Sequence, residues 1–141
     1  MQPKRFPARR RLRLPDGGDP AKGIPLPPDF IRRYQRFFPT VDLKKVRVHI
    51  GIPRKLAKLA GIPHPAAVSY RNRIYVDPNY ADLRSAEGRR LILHELRHVA
   101  QWKAFGDELY TSYQKAHSHG YWRNPYERDA YRYERLVLKA A

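Results

Sequence analysis

The chain has 141 residues, with 29 Lys and Arg against 13 Asp and Glu, a formal charge of +16 and no cysteine. This excludes disulfides and thiolate ligands, so a metal could be held only by His and carboxylate side chains, and no apolar run approaches the length of a membrane span. An apolar share of 42% with 12% aromatic residues is enough for one folded domain with a real core, while the cationic excess implies attraction to nucleic acid, acidic protein surfaces or anionic membranes.

The first stretch, residues 1–23, is rich in Pro and Gly and carries Lys4, Arg5, Arg9, Arg10, Arg11 and Arg13 with no acid among its first fourteen residues. It reads as a flexible basic arm preceding a single domain over 24–141. No apolar stretch follows the basic residues, so a secretory signal is not expected, and a cytoplasmic or particle-associated location is. The arm would suit a tether to nucleic acid or another polyanion; a solvated tail explains the same composition equally well.

Leu26-Pro27-Pro28-Asp29 opens a helix over Phe30–Phe38, with Phe30, Ile31, Tyr34, Phe37 and Phe38 near helical spacing and Pro39 ending it. Val46 to Ile52 alternates and predicts a strand with one buried face, leaving His49 on the polar face as a surface residue. A short helix, Arg54–Ala60, follows Pro53 and stops at Gly61. His64, between two prolines, is not expected to ligate anything. Ala67–Tyr70 and Ile74–Asp77 predict two strands joined at Arg71-Asn72-Arg73.

Ser85, or Asp82 before it, caps a long central helix. Its run from Arg89 to Trp102 has neither Pro nor Gly. At about 100° per residue, Ile92, Leu93, Leu96, Val99 and Ala100 gather on one side. His94, Glu95 and His98 fall opposite, with Leu91 and Trp102 among them, and only Arg97 and Gln101 form a polar strip. The pattern His94-Glu95-x-x-His98 sets two imidazoles one turn apart on one face, where both can reach one cation and Glu95 can hold a water beside it. Ionisable groups on a mostly buried helix are costly unless something binds them.

The central helix should stop near Gly106, and Asp107 should cap another helix reaching about His117. His117 and His119 could bind a metal if extended, but solvated histidines at a helix end explain them better. Asn124 then caps the last helix, with Pro125 at its first position. A catalytic zinc wants a third protein ligand. Glu127, in the first turn of that last helix, can supply it. Asn124-x-x-Glu127 also has the form of a capping box, in which the carboxylate turns back to the Asn124 amide. Residue physics leaves the two evenly matched.

The histidine motif with Glu127-x-x-Ala130 downstream resembles the gluzincins, zinc peptidases whose third ligand is a Glu on a later helix. More closely, Leu26-Pro27-Pro28, Val46-Arg47-Val48-His49, Ile74-Tyr75-Val76 and the run Gly88 to Gln101 resemble a small bacterial metallopeptidase domain of proteins linked to extracellular contractile injection systems (eCIS core). The resemblance spans about Leu26 to Glu134. It implies a zincin-like fold, zinc held by His94, His98 and Glu127, Glu95 as general base, and a polypeptide substrate. On that mechanism the strand Ile74–Asp77 could pair with an extended substrate. An oxyanion donor is also needed, with Tyr131 the first candidate and Tyr113, Tyr121, His117 and His119 behind it.

The elements give an α+β fold: a small antiparallel sheet beside the histidine helix and a helical C-terminal part. The competing expectation is a catalytically silent zincin fold with a structural or polyanion-binding role. The charge favours it; the lack of an aromatic-basic RNA motif, a helix-turn-helix or zinc-finger spacing weighs against it.

Overall fold

The computed structural model describes residues 23–60, 65–80, 82–117, 120 and 123–141. Expectations that fall on residues 1–22, His64, His119 and Tyr121 lie outside the described residues.

Four short strands form one sheet: β1 (Ile24–Pro25), β2 (Arg47–Ile50), β3 (Ala67–Tyr70) and β4 (Arg73–Val76), in the order β1-β2-β4-β3. β3 and β4 make the expected hairpin, turning at Arg71, whose φ of 56° is in the left-handed region. The β2–β4 pairing is parallel, with Val48 beside Ile74 and His49 beside Tyr75. The sheet is therefore mixed rather than antiparallel. The parallel pair requires a crossover, and α2 (Arg54–Ala60) together with β3 provides it.

This order corrects one expectation. The strand containing Ile74 is interior, flanked by β2 and β3, so it has no edge to offer a substrate. The edge strand beside the histidine helix is β3.

α1 (Pro28–Tyr34) starts with Pro at its first position and tightens into a 3-10 turn, Gln35–Phe37. Gln35 staples the exit: its amide donates to Phe38 O and Val41 O at 3.0 and 2.7 Å and accepts from Leu43 N at 2.9 Å. The chain then feeds Val46 and Val48 into the core.

The long helix, α3 (Ala86–Phe105), is capped by Ser85, whose Oγ accepts from Gly88 N at 2.9 Å. A Cβ at Gly88 would stand 2.0 Å from the Asp82 carbonyl oxygen, so only glycine lets the loop cross the first turn so closely. The apolar side of α3, carrying Ile92, Leu93, Leu96 and Val99, packs on Val48, Ile74 and Val76 of the sheet and on Val46 just before β2. Each such burial stabilises by about 1.5–3 kcal/mol. Gly106, at φ 66°, ends the helix. After α4 (Glu108–His117), α5 (Pro125–Ala140) lies along the histidine side of α3. Asn124 caps it, Oδ1 accepting from Tyr126 N at 2.9 Å.

His49 is not the surface residue its polar-face position predicts. It is 5% exposed and stacked on Tyr75, with ring centroids 4.8 Å apart. Gly23 packs over it so tightly that a Cβ there would lie 2.9 Å from the imidazole. Among the described residues, no helix is long and apolar enough to cross a membrane.

Candidate metal centre

His94, Glu95 and His98 form a buried group whose ligand atoms lie within 4.8 Å of one another, and such a group could hold a metal ion. The helix accounts for the clustering: residues 94 and 98 share a face of α3, and 95 adjoins it. The ring centroids of His94 and His98 are 4.9 Å apart.

α5 completes the arrangement. Nε2 of His94 and Nε2 of His98 both reach the same oxygen, Oε1 of Glu127, at 2.9 and 3.1 Å. The other oxygen, Oε2, accepts a short hydrogen bond from the Tyr113 hydroxyl on α4. Both halves of the Asn124/Glu127 question are thereby visible: Asn124 caps the helix, and the Glu127 carboxylate is engaged by α3 and α4 side chains. Ligand atoms about 2.0–2.1 Å from a tetrahedral zinc would be about 3.3 Å apart. The two N···O separations, 2.9 and 3.1 Å, are shorter than that edge, so the donor set fits such an ion in chemistry and would have to spread by a few tenths of an ångström to hold it.

Each imidazole is also held from behind. Nδ1 of His94 lies 3.3 Å from Oε1 of Glu134, and Nδ1 of His98 lies 2.7 Å from Oε1 of Gln101. With Nδ1–H directed at these acceptors, Nε2 is the nitrogen left to bind. Gln101 in turn donates to Tyr126 O at 3.1 Å and to Asp129 Oδ2 at 3.0 Å. Arg97 grips Asp129 through Nε and Nη2 at 2.7 and 3.2 Å. The expected polar strip of Arg97 and Gln101 is therefore a junction with α5, and Gln101 is only 7% exposed.

Glu95, beside the two imidazoles, is also tied to the sheet. Its Oε1 accepts from the Ser69 hydroxyl on β3 at 2.7 Å. Tyr131, the first oxyanion candidate, sits with its ring 4.3 Å from that of His94. Tyr113 is committed to Glu127. His117 contributes to the backbone of α4.

The electrostatics follow from burial and crowding. Burial opposes charge on His94, but hydrogen bonds to Glu127 and Glu134 and the negative field of Glu127 and Glu95 outweigh it and raise the pKa from 6.5 to about 10. His98 is raised in the same way, burial again opposing and Glu127 prevailing. Burial would raise Glu127, yet the two imidazoles hold it well below the ordinary 4.5. Asp129 is lowered too: burial opposes, and the bonds from Arg97 and Gln101 win. A divalent ion and the protons on the two Nε2 atoms thus compete for the same lone pairs.

Sequence reasoning missed Glu134, Gln101 and Ser69. Glu134 was nonetheless encoded. Glu127, Ala130, Glu134 and Val137 recur at i, i+3, i+7 and i+10, and all four are buried on one stripe of α5. Two glutamates on a buried stripe call for partners on the facing helix.

Of the known families, the eCIS core domain matches residues 25–105, more than half of the chain, taking in His94, Glu95, His98 and Gln101. No curated protein and no solved structure matches the chain significantly.

Proposed function

The chain belongs to the eCIS core domain family, and on that premise we propose that it is a zinc-dependent endopeptidase of gluzincin type. His94, His98 and Glu127 are the ligands, Glu95 is the general base, and the substrate is a polypeptide. The observation that carries this is the meeting of both Nε2 atoms on one Glu127 oxygen, with each Nδ1 held from behind.

Bound zinc supplies Lewis acidity, which acidifies water and polarises a peptide carbonyl. Glu95 takes the proton of the attacking water. The water oxygen bonds to the carbonyl carbon, and Glu95 returns the proton to the amine nitrogen as the C–N bond breaks. Because Ser69 occupies Oε1 of Glu95, Oε2 is the oxygen assigned to that transfer. The contact of Tyr131 with His94 supports it as the donor to the developing oxyanion. β3, an edge strand bonded to Glu95 through Ser69, supports docking of an extended substrate by strand addition.

The experiment is a metal analysis paired with hydrolysis of an unfolded polypeptide. Purified protein should carry about one zinc, His94→Ala should lose it, and Glu95→Gln should keep the metal while cleavage stops. Undiminished cleavage by Glu95→Gln would remove the base assignment.

A second reading, a polyanion-binding role, is supported by the outer face of α5. Arg128, Arg132, Arg135 and Lys139 recur at i, i+4, i+7 and i+11, all exposed. Both α5 glutamates are buried and Asp129 is paired with Arg97, so no acid within α5 relieves the stripe. Like charges at this spacing destabilise a helix by a few tenths of a kcal/mol per pair, which an anionic partner would offset.

A further inference from the structure

Gln101 stands outside the ligand set and the base, yet its amide joins a histidine of α3 to two residues of α5. Oε1 accepts from His98 Nδ1 at 2.7 Å. Nε2 donates to Tyr126 O at 3.1 Å and to Asp129 Oδ2 at 3.0 Å. These last two partners bracket Glu127 in sequence, one residue before it and two after.

The orientation of the amide follows from chemistry. Tyr126 O and the Asp129 carboxylate can only accept, so both demand the NH2 group. Asp129 cannot turn away, because Arg97 holds both of its oxygens at 2.7 and 3.2 Å. Flipping the amide would set its oxygen against two acceptors and its NH2 against the Nδ1 proton of His98. One orientation therefore satisfies every group, and it fixes the proton of His98 on Nδ1.

We propose that Gln101 is a positioning residue that couples two ligands on different helices: it orients the His98 ring and, through Tyr126 and Asp129, sets the register of α5 that delivers Glu127. This rests on the metal-centre reading above. An ordinary helix-surface glutamine would face solvent; this one is 7% exposed, which is affordable only with all its hydrogen bonds made.

The test uses the full chain, with Co2+ and Zn2+ alone as probes and affinity read by competition with a chromophoric chelator. Gln101→Leu, which removes all three bonds, should weaken metal binding about 10–100-fold. Gln101→Glu keeps an acceptor for His98 but sets a carboxylate against Asp129 and Tyr126 O. It should retain the exchangeable His98 N–H resonance of the Co2+ protein while still losing affinity. In Gln101→Leu that resonance should be lost to solvent exchange, and the corresponding His94 resonance, held by Glu134, should remain. Unaltered affinity in both variants would overturn the proposal, as would loss of the His94 resonance together with that of His98, which marks general loosening. Failure of the unmodified protein to bind either metal would instead remove the underlying metal centre, so the two failures are distinguishable.

Discussion

His94 Nδ1 lies 3.3 Å from Oε1 of Glu134, a carboxylate that is 3% exposed and whose second oxygen has no hydrogen-bond partner among the described residues. Arg90, at 3.8 Å from that second oxygen, is mostly in solvent and too distant for a hydrogen bond. Leaving a buried carboxylate oxygen unsatisfied costs about 1–3 kcal/mol or more. Retaining it makes sense if the charge is used to hold His94 and to balance a cation beyond the ring.

Glu134→Ala should therefore weaken zinc binding about 10–100-fold. Glu134→Gln, which keeps an acceptor for Nδ1 but removes the charge, should recover only part of that loss. Chelator competition on the two variants checks this; equal losses would mean that the carboxylate charge, rather than the acceptor, matters.

The metal-free and metal-loaded proteins should respond oppositely to pH. His94 titrates near 10 when folded and near 6.5 ordinarily. Its contribution to folding is thus fully present below about 6.5 and is lost as pH rises through about 10. Glu127 is lowered, so its contribution is present above 4.5 and lost as pH falls through the depressed value. The two describe one ion pair and are not additive. With a chelator, stability in urea should fall from pH 7 to pH 9.5; with saturating zinc it should hold or rise, because metal binding no longer has to displace the imidazole protons.

Ser69→Ala removes the hydroxyl that bonds Glu95 Oε1. Stability should drop by about 1–3 kcal/mol, as expected for a buried acceptor left unmade. Zinc affinity should stay unchanged, while peptide hydrolysis should fall about tenfold or more through kcat. Denaturant melts, metal titration and kinetics separate the three effects.

For the second reading, the salt dependence of duplex DNA binding is diagnostic. Replacing Arg128, Arg132, Arg135 and Lys139 with Gln should lower the slope of log K against log salt by up to about 3–4, at about 0.9 per phosphate contact. An unchanged slope would assign any polyanion binding to other cations.

Local signals served the sequence well. The pattern of α3, the Ser85 and Asn124 caps, Pro125 at the start of α5 and the β3–β4 hairpin are each decided by neighbours within a few residues, and all stand as expected. What failed was non-local. Nothing near Val48 or Ile74 announces that their strands pair in parallel, since that depends on how α2 and β3 fold back between them. The burial of His49 depends on Gly23 and Tyr75, both distant in sequence. Gln101 looked like surface because a helical wheel shows which face a residue is on but not that another helix will cover that face. Glu127 is intermediate: its spacing allowed two roles, and only the approach of α3 and α4 shows where the carboxylate goes.

The brevity of β3 has a consequence for selectivity. Four residues give an incoming chain at most four rungs, and Ser69, the third of them, is tied to Glu95. On the proposed peptidase reading, a peptide laid along this edge would be gripped over only a handful of positions. Such a short ruler discriminates weakly by side chain. Choice of target would then fall to whatever brings a cleavable, unstructured segment within reach.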